Sequence, residues 1–136
     1  MNSLCTRLRD VNEAGVYKLS CSMEELRVLS AEAGFVLFEV ALAQVHGKGE
    51  WLAAVAQSLK APLWFGHNWD ALADALTDLS WADASAKPAA GYVLFLRDGG
   101  ETLGLTLADH QALTQIFSAS VAYWKAQGRA FWVFFC

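Results

Sequence analysis

Three carboxylates recur at every fourth position in one short segment. Asp70, Asp74 and Asp78 lie within Trp64 to Trp81, which reads WFGHNWDALADALTDLSW. On a helix of about 3.6 residues per turn, that spacing lines them up as one acidic stripe. Like charges so placed repel by about 0.2–0.5 kcal/mol per exposed pair. No Lys or Arg lies between Ala61 and Ala86 to relieve them. The stripe is framed by Trp64, Phe65, Trp69 and Trp81. Fixed carboxylates beside aromatic surface suit a positively charged protein partner, since aromatics are enriched where interfaces carry their binding energy. The plain alternatives are a solvated helix face for the carboxylates and core packing for the aromatics, for Trp69 above all.

Other chemistry finds less support. Asp70, Asp74 and His67 would make a metal site, and with it a metal-dependent hydrolase. Hard cations want several oxygen ligands, however, and only two carboxylates converge here. There is no GxSxG and no local Cys–His pair for nucleophilic catalysis. His46, His67 and His110 are isolated in sequence. Gly47-Lys48-Gly49 lacks the spacing of a phosphate-binding loop and reads as a turn. The expectation is a binding protein and not an enzyme, with no cofactor and no metal.

Charge distribution sharpens this. The formal net charge is −4, and Asp70, Asp74, Asp78 and Asp83 alone supply that excess. Such a patch disfavours direct nucleic-acid binding, which needs Lys and Arg on phosphates. The 136 residues are 55% hydrophobic, enough for a proper core. Cys5, Cys21 and Cys136 show no CxxC spacing, which reads as a reduced, cytoplasmic chain. No signal peptide precedes the first elements, and no apolar run approaches the roughly 20 residues of a membrane span.

The elements that position the stripe follow from caps and periodicity. Val16 to Leu19 is a short predicted strand. Ser22 opens a helix that Gly34 ends. Phe35 to Leu42 reads as a strand, and Glu50 to Lys60 has helical spacing. Pro62 breaks that helix. Asn68 caps the next, whose apolar face is Trp69, Leu72, Ala73 and Leu76. Tyr92 to Leu96 is a strand closed by Asp98-Gly99-Gly100. Thr106 with Asp109 caps a long helix that stops at Gly128. Ala130 to Cys136 is apolar on both faces, as a strand buried between helices would be. Long helical crossovers suit parallel strands. The prediction is an α/β fold: a three-stranded parallel sheet packed with helices over residues 35–136, which the strand and helix of residues 1–34 extend or cover.

The run from Pro62 to Thr77, with Trp81, also resembles a known pattern. Pro62, Trp64-Phe65, Gly66, Asn68, Asp70-Ala71-Leu72, Asp74, Leu76-Thr77 and Trp81 are similar to the inhibitory loop and helix of the barstar family. These are intracellular inhibitors of ribonucleases. The resemblance covers roughly Phe35 to Cys136. It implies a three-stranded parallel sheet with helices, and a protein that plugs a basic ribonuclease active site with carboxylates in place of RNA phosphates. Asp74 then matches the aspartate that enters the phosphate site, and Asp70 a second contact. Trp64 matches an aromatic packed on the enzyme's catalytic residue. Gly66, Asn68, Thr77 and Trp81 match further contacts, and Phe65, Trp69 and Ala73 complete the expected surface. The implied partner is a basic, extracellular-type ribonuclease or a related toxin protein. There are departures: Ala73 replaces a tryptophan, Tyr123 and Gln127 stand where the family has glutamates, and Asp78-Leu79-Ser80 lengthens the approach to Trp81. An immunity or regulatory protein for a non-nuclease target is the second reading.

Overall fold

The computed structural model of the chain describes residues 7–19, 21–60, 68–79, 89–98 and 105–135. Among the described residues four strands and four α-helices follow in the order β1 (Val16–Lys18), α1 (Met23–Ala33), β2 (Phe35–Ala41), α2 (Lys48–Leu59), α3 (Trp69–Leu76), β3 (Gly91–Arg97), α4 (Leu107–Ala126) and β4 (Ala130–Phe135). The strands form one parallel sheet in the order β1-β4-β3-β2. The expected three-stranded sheet is therefore four-stranded. The short N-terminal strand joins at the free edge of β4, through Val16 opposite Val133 and Lys18 opposite Phe135.

That order explains how the layers form. From β2 to β3 to β4 the chain steps in one direction across the sheet, whereas β1 to β2 crosses it the other way. Crossovers of a single hand then place α1 on the face opposite α2, α3 and α4. The core divides accordingly. Tyr92, Leu94 and Leu96 of β3 pack with Phe131 and Val133 of β4 against α2, α3 and α4. Val93, Phe95, Trp132 and Phe134 point the other way, against Leu26 of α1 and Leu8 and Ala14 before it. Strict alternation of buried side chains to both faces is what a strand between two helical layers requires.

Capping residues set the helix ends as the sequence implies. Ser22 Oγ accepts from the Glu25 N–H at 3.1 Å, and Gly34 ends α1 with φ of 76°, where a Cβ would clash with its own carbonyl. Thr106 and Asp109 form a reciprocal capping box on α4. Gly91 has a different reason to be glycine: a Cβ there would sit 2.7 Å from the Ala130 carbonyl oxygen of the neighbouring strand. Gly47-Lys48-Gly49 is a correction. Gly47 is the N-cap of α2, and Lys48 and Gly49 lie in its first turn. Of the loops read at 85–91 and 98–100, only residues 89–91 and 98 are described.

Cys21 is disulfide-bonded, which overturns the expectation of a fully reduced chain. Among the described residues no helix is long and apolar enough to cross a membrane.

One ion pair ties α1 to β2. Arg27 Nε and Nη2 donate to the two Glu39 carboxylate oxygens at 2.9 and 2.8 Å. The Arg27 hydrogen bond, opposed in part by burial and helped by the Arg27 and Arg97 charges, holds the Glu39 carboxyl below its ordinary value. A depressed folded-state value means the stabilisation is present above the unfolded pKa and lost as pH falls through the folded one. Glu39→Gln is expected to be less stable than wild type in urea at pH 7. The gap should close as pH drops through the acid range; a gap independent of pH would contradict this account.

Candidate functional site

Helix α3 carries the candidate surface, and its burial pattern separates back from front. Leu72, Ala75 and Leu76 are buried with no measurable exposure. Asp70 and Asp74 are exposed, with Ala73 and Thr77 half-buried between them. At 100° per residue, Leu72 and Leu76 lie on the side of the helix away from Asp70 and Asp74. The core explains the first set and gives no reason for the second.

The helix is held in place at both ends. At the N-terminus Asn68 Oδ1 accepts from the Ala71 N–H at 2.7 Å, satisfying one of the donors a helix start leaves open. Asn68→Ala is expected to cost about 0.5–2 kcal/mol in a urea titration, while Asn68→Asp keeps the acceptor and most of the stability. An alanine variant as stable as wild type would show the cap to be idle. Trp69 turns inward. Its ring meets Trp51 of α2 edge-on at 5.7 Å, and its Nε1 donates to Asp109 Oδ1 of α4 at 3.2 Å. The Lys48 ammonium lies 5.2 Å from the Trp69 ring centroid. At the other end the Trp124 indole N–H donates to the Leu76 carbonyl at 2.7 Å. That carbonyl is among those a helix terminus leaves without an intrahelical partner. Thr77 caps the helix and donates its hydroxyl back to the Ala73 carbonyl at 2.9 Å.

Asp109 is more than the capping residue its sequence position implies, because its carboxylate also accepts the Trp69 indole N–H. The Thr106 backbone N–H is the main cause holding its carboxyl below the usual aspartate range. Partial burial opposes this, while the Thr106 side chain, the Trp69 indole and the Lys48 charge reinforce it. Asp109, Lys48 and Trp124 are thus positioning residues that sequence reasoning missed. The only signal available was their residue type, since their partners lie on other elements.

The electrostatics of α3 run against its stability. Asp70 sits in the first turn, where the helix dipole favours a negative charge. Asp74 lies in the last turn, where that dipole disfavours one, and no basic residue accompanies it there. Among the described residues neither Asp70 nor Asp74 takes part in an ion pair. Asp78 departs from the expected stripe. The helix ends at Leu76, so Asp78 is exposed in the turn beyond the Thr77 cap. Leu79 follows, fully buried at φ of 52°.

The structure therefore places Asp70, Ala73, Asp74 and Thr77 along the outward side of α3 with Asn68 exposed at its cap, whereas Trp69, expected at the binding surface, is turned inward against Trp51 and Asp109. Trp64, Phe65, Gly66, His67 and Trp81 lie outside the described residues. On α4, Tyr123 is 42% exposed and packs edge-on against Trp124 at 5.1 Å, and Gln127 is exposed. Among the described residues no cluster of three or more His, Cys, Asp or Glu side chains is arranged to hold a metal ion.

No curated protein matches the chain. Residues 35–136 match the protein family described as Barstar (barnase inhibitor). That span begins at the first residue of β2 and takes in α2, α3, β3, α4 and β4. With most of its length matched, and with a parallel α/β sheet backing an acidic helix, this chain belongs to the barstar family.

Proposed function

We propose that this chain is an intracellular, non-enzymatic inhibitor of a ribonuclease, which it blocks by seating the outward face of α3 in the enzyme's phosphate-binding cleft. Asp74 supplies the central charge and Asp70 supports it. Thr77, Ala73 and Asn68 border them, and the aromatic residues Trp64, Phe65 and Trp81 give apolar contact. The observation that carries the reading is the pair Asp70–Asp74, exposed and outside any ion pair among the described residues, on a helix whose back and both ends are fixed. A ribonuclease holds Arg, Lys or His arranged for phosphate, and a preorganised carboxylate can meet such groups in bidentate fashion. A rigid display keeps the entropy of ordering low on binding.

A cytoplasmic location goes with this reading, because an inhibitor of a cell's own secreted-type ribonuclease protects the cell before export. Addition of the purified chain to the ribonuclease-active fraction of its source cell should abolish activity at a stoichiometric ratio. Activity that survives a large excess contradicts the proposal.

A second reading keeps the binding face and changes the target. Tyr123 and Gln127 stand exposed where the resemblance implies glutamates. Fewer outer carboxylates suit a less basic partner, so an immunity or regulatory role toward a non-nuclease protein follows if the captured partner cleaves no RNA.

A further inference from the structure

The two edges of the sheet differ. An edge strand presents main-chain groups that no ladder pairs, and proteins blunt such edges with short strands, Lys, Pro or bulges. The β1 edge is blunted: it is three residues long and ends on the exposed Lys18. The β2 edge is not. It runs for seven residues, FVLFEVA, without Lys, Pro or Gly. Its register with β3 is unbroken from Phe35 opposite Gly91 to Ala41 opposite Arg97, so no bulge interrupts it. Its one charged side chain, Glu39, is matched by Arg27.

Hydrogen bonds fix which main-chain groups face outward. At one end of β2 the Gly34 carbonyl accepts the Ala90 N–H at 3.0 Å, and at the other the Leu42 N–H donates to the Arg97 carbonyl at 3.0 Å. Even-numbered residues of this stretch therefore turn their main chain towards β3. The Glu39 carbonyl instead accepts the Ser58 hydroxyl of α2 at 2.7 Å. By alternation Phe35, Leu37, Glu39 and Ala41 direct their N–H and C=O groups away from the sheet. Among the described residues no main-chain group pairs with that edge.

We propose that β2 pairs with β2 of a second copy of this chain, antiparallel about a two-fold axis at Phe38, and so joins two sheets into one. Outward residues must stand opposite outward residues. Setting Leu37 opposite Glu39 of the second copy, and Phe35 opposite its Ala41, pairs all four. Setting Glu39 opposite Glu39 would put like charges face to face, which is unfavourable. The choice of a second copy over a foreign peptide follows from packing and charge. Sheet edges select a foreign strand through pockets for its alternate side chains. Here α1 and α2 pack on the two faces of β2, with Phe35 and Leu37 turned to one layer and Val36, Phe38 and Val40 to the other. An identical strand needs no pocket, because a two-fold axis makes the register self-complementary. It also meets no net charge: the two Arg27–Glu39 pairs approach the axis as a neutral set. The acidic excess lies on α3, which is seated on α2 and α4. This inference does not rest on the ribonuclease reading.

The test is sedimentation velocity of the full-length chain from micromolar to millimolar loading, paired with residue-resolved amide exchange by NMR. The expected result is a monomer–dimer equilibrium. The Leu37, Glu39 and Ala41 amides should exchange fast when dilute and slowly when concentrated. Those of Val36, Phe38 and Val40, which face β3, should be protected at both concentrations. Ala41→Pro removes an outward donor and leaves the ladder to β3 intact, as an edge strand allows. It should weaken dimerisation roughly tenfold. A monomer at millimolar loading, a disulfide-linked dimer, a dimer whose outward amides exchange as fast as the monomer's, or an Ala41→Pro variant that dimerises like wild type would each overturn the proposal. The exchange measurement needs no variant and so stands even where the proline impairs folding.

Discussion

Asp74→Ala is expected to fold as the parent does and to bind the target ribonuclease roughly 30- to 4,000-fold more weakly. That range corresponds to the about 2–5 kcal/mol typical of truncating one partner of a buried, hydrogen-bonded charge pair. The folded state gives no reason for a stability loss. Asp74 is exposed, forms no ion pair among the described residues, and lies in the last turn of α3, where the helix dipole opposes its charge. The same substitution should make association less sensitive to salt, because part of the attraction that steers encounter is removed. Asp70→Ala should weaken binding less. Asp98→Ala, which removes an exposed carboxylate at the end of β3, should leave binding unchanged. Stopped-flow association at low and high ionic strength, with unfolding curves for each variant, measures all of this. Equal loss at Asp74 and Asp98 would indicate a diffuse charge effect and no specific contact.

The largest stability effect is expected at Trp124. Its ring is 6% exposed, lies 4.9 Å from the Tyr92 ring, and carries the N–H that reaches the Leu76 carbonyl across α4 and α3. The Arg129 guanidinium lies 5.7 Å from its centroid on the side of the chain leading into β4. Trp124→Ala removes this packing and leaves a cavity between α4, the sheet and the end of α3, at a cost of about 3–5 kcal/mol. Trp124→Phe retains most of the packing and loses the hydrogen bond, for about 1 kcal/mol. Urea unfolding read by the remaining tryptophans gives both values. An alanine variant that loses under about 1 kcal/mol would show that Trp124 is not what seats α3.

What could be read from the sequence was what local physics encodes. Ser22, Asn68 and Thr106 announce helix starts because each offers an acceptor to a donor three residues on. Ala130 to Phe135 announces a strand covered on both faces because apolar residues occupy every position. The outward position of Asp70 and Asp74 followed from the same periodicity. What stayed hidden depends on long-range contact. The bond from Trp69 to Asp109 spans 40 residues, and that from Trp124 to Leu76 spans 48. The pairing of β1 with β4 joins opposite ends of the chain, so the fourth strand could only be anticipated as an extension. The periodicity of Asp70, Asp74 and Asp78 runs past the true helix end, because Leu79 is buried at a positive φ that no pattern of residue types signals.

We propose that Asp74 on α3 directs this barstar-family chain to a ribonuclease. It is tested most directly by affinity capture from lysate of the source cell with wild type and Asp74→Ala as paired baits, followed by a ribonuclease assay of each eluate after the complex is dissociated. The account predicts ribonuclease activity in the wild-type eluate and its loss from the variant's. A partner retained equally by both baits, or one that cleaves no RNA, would contradict it.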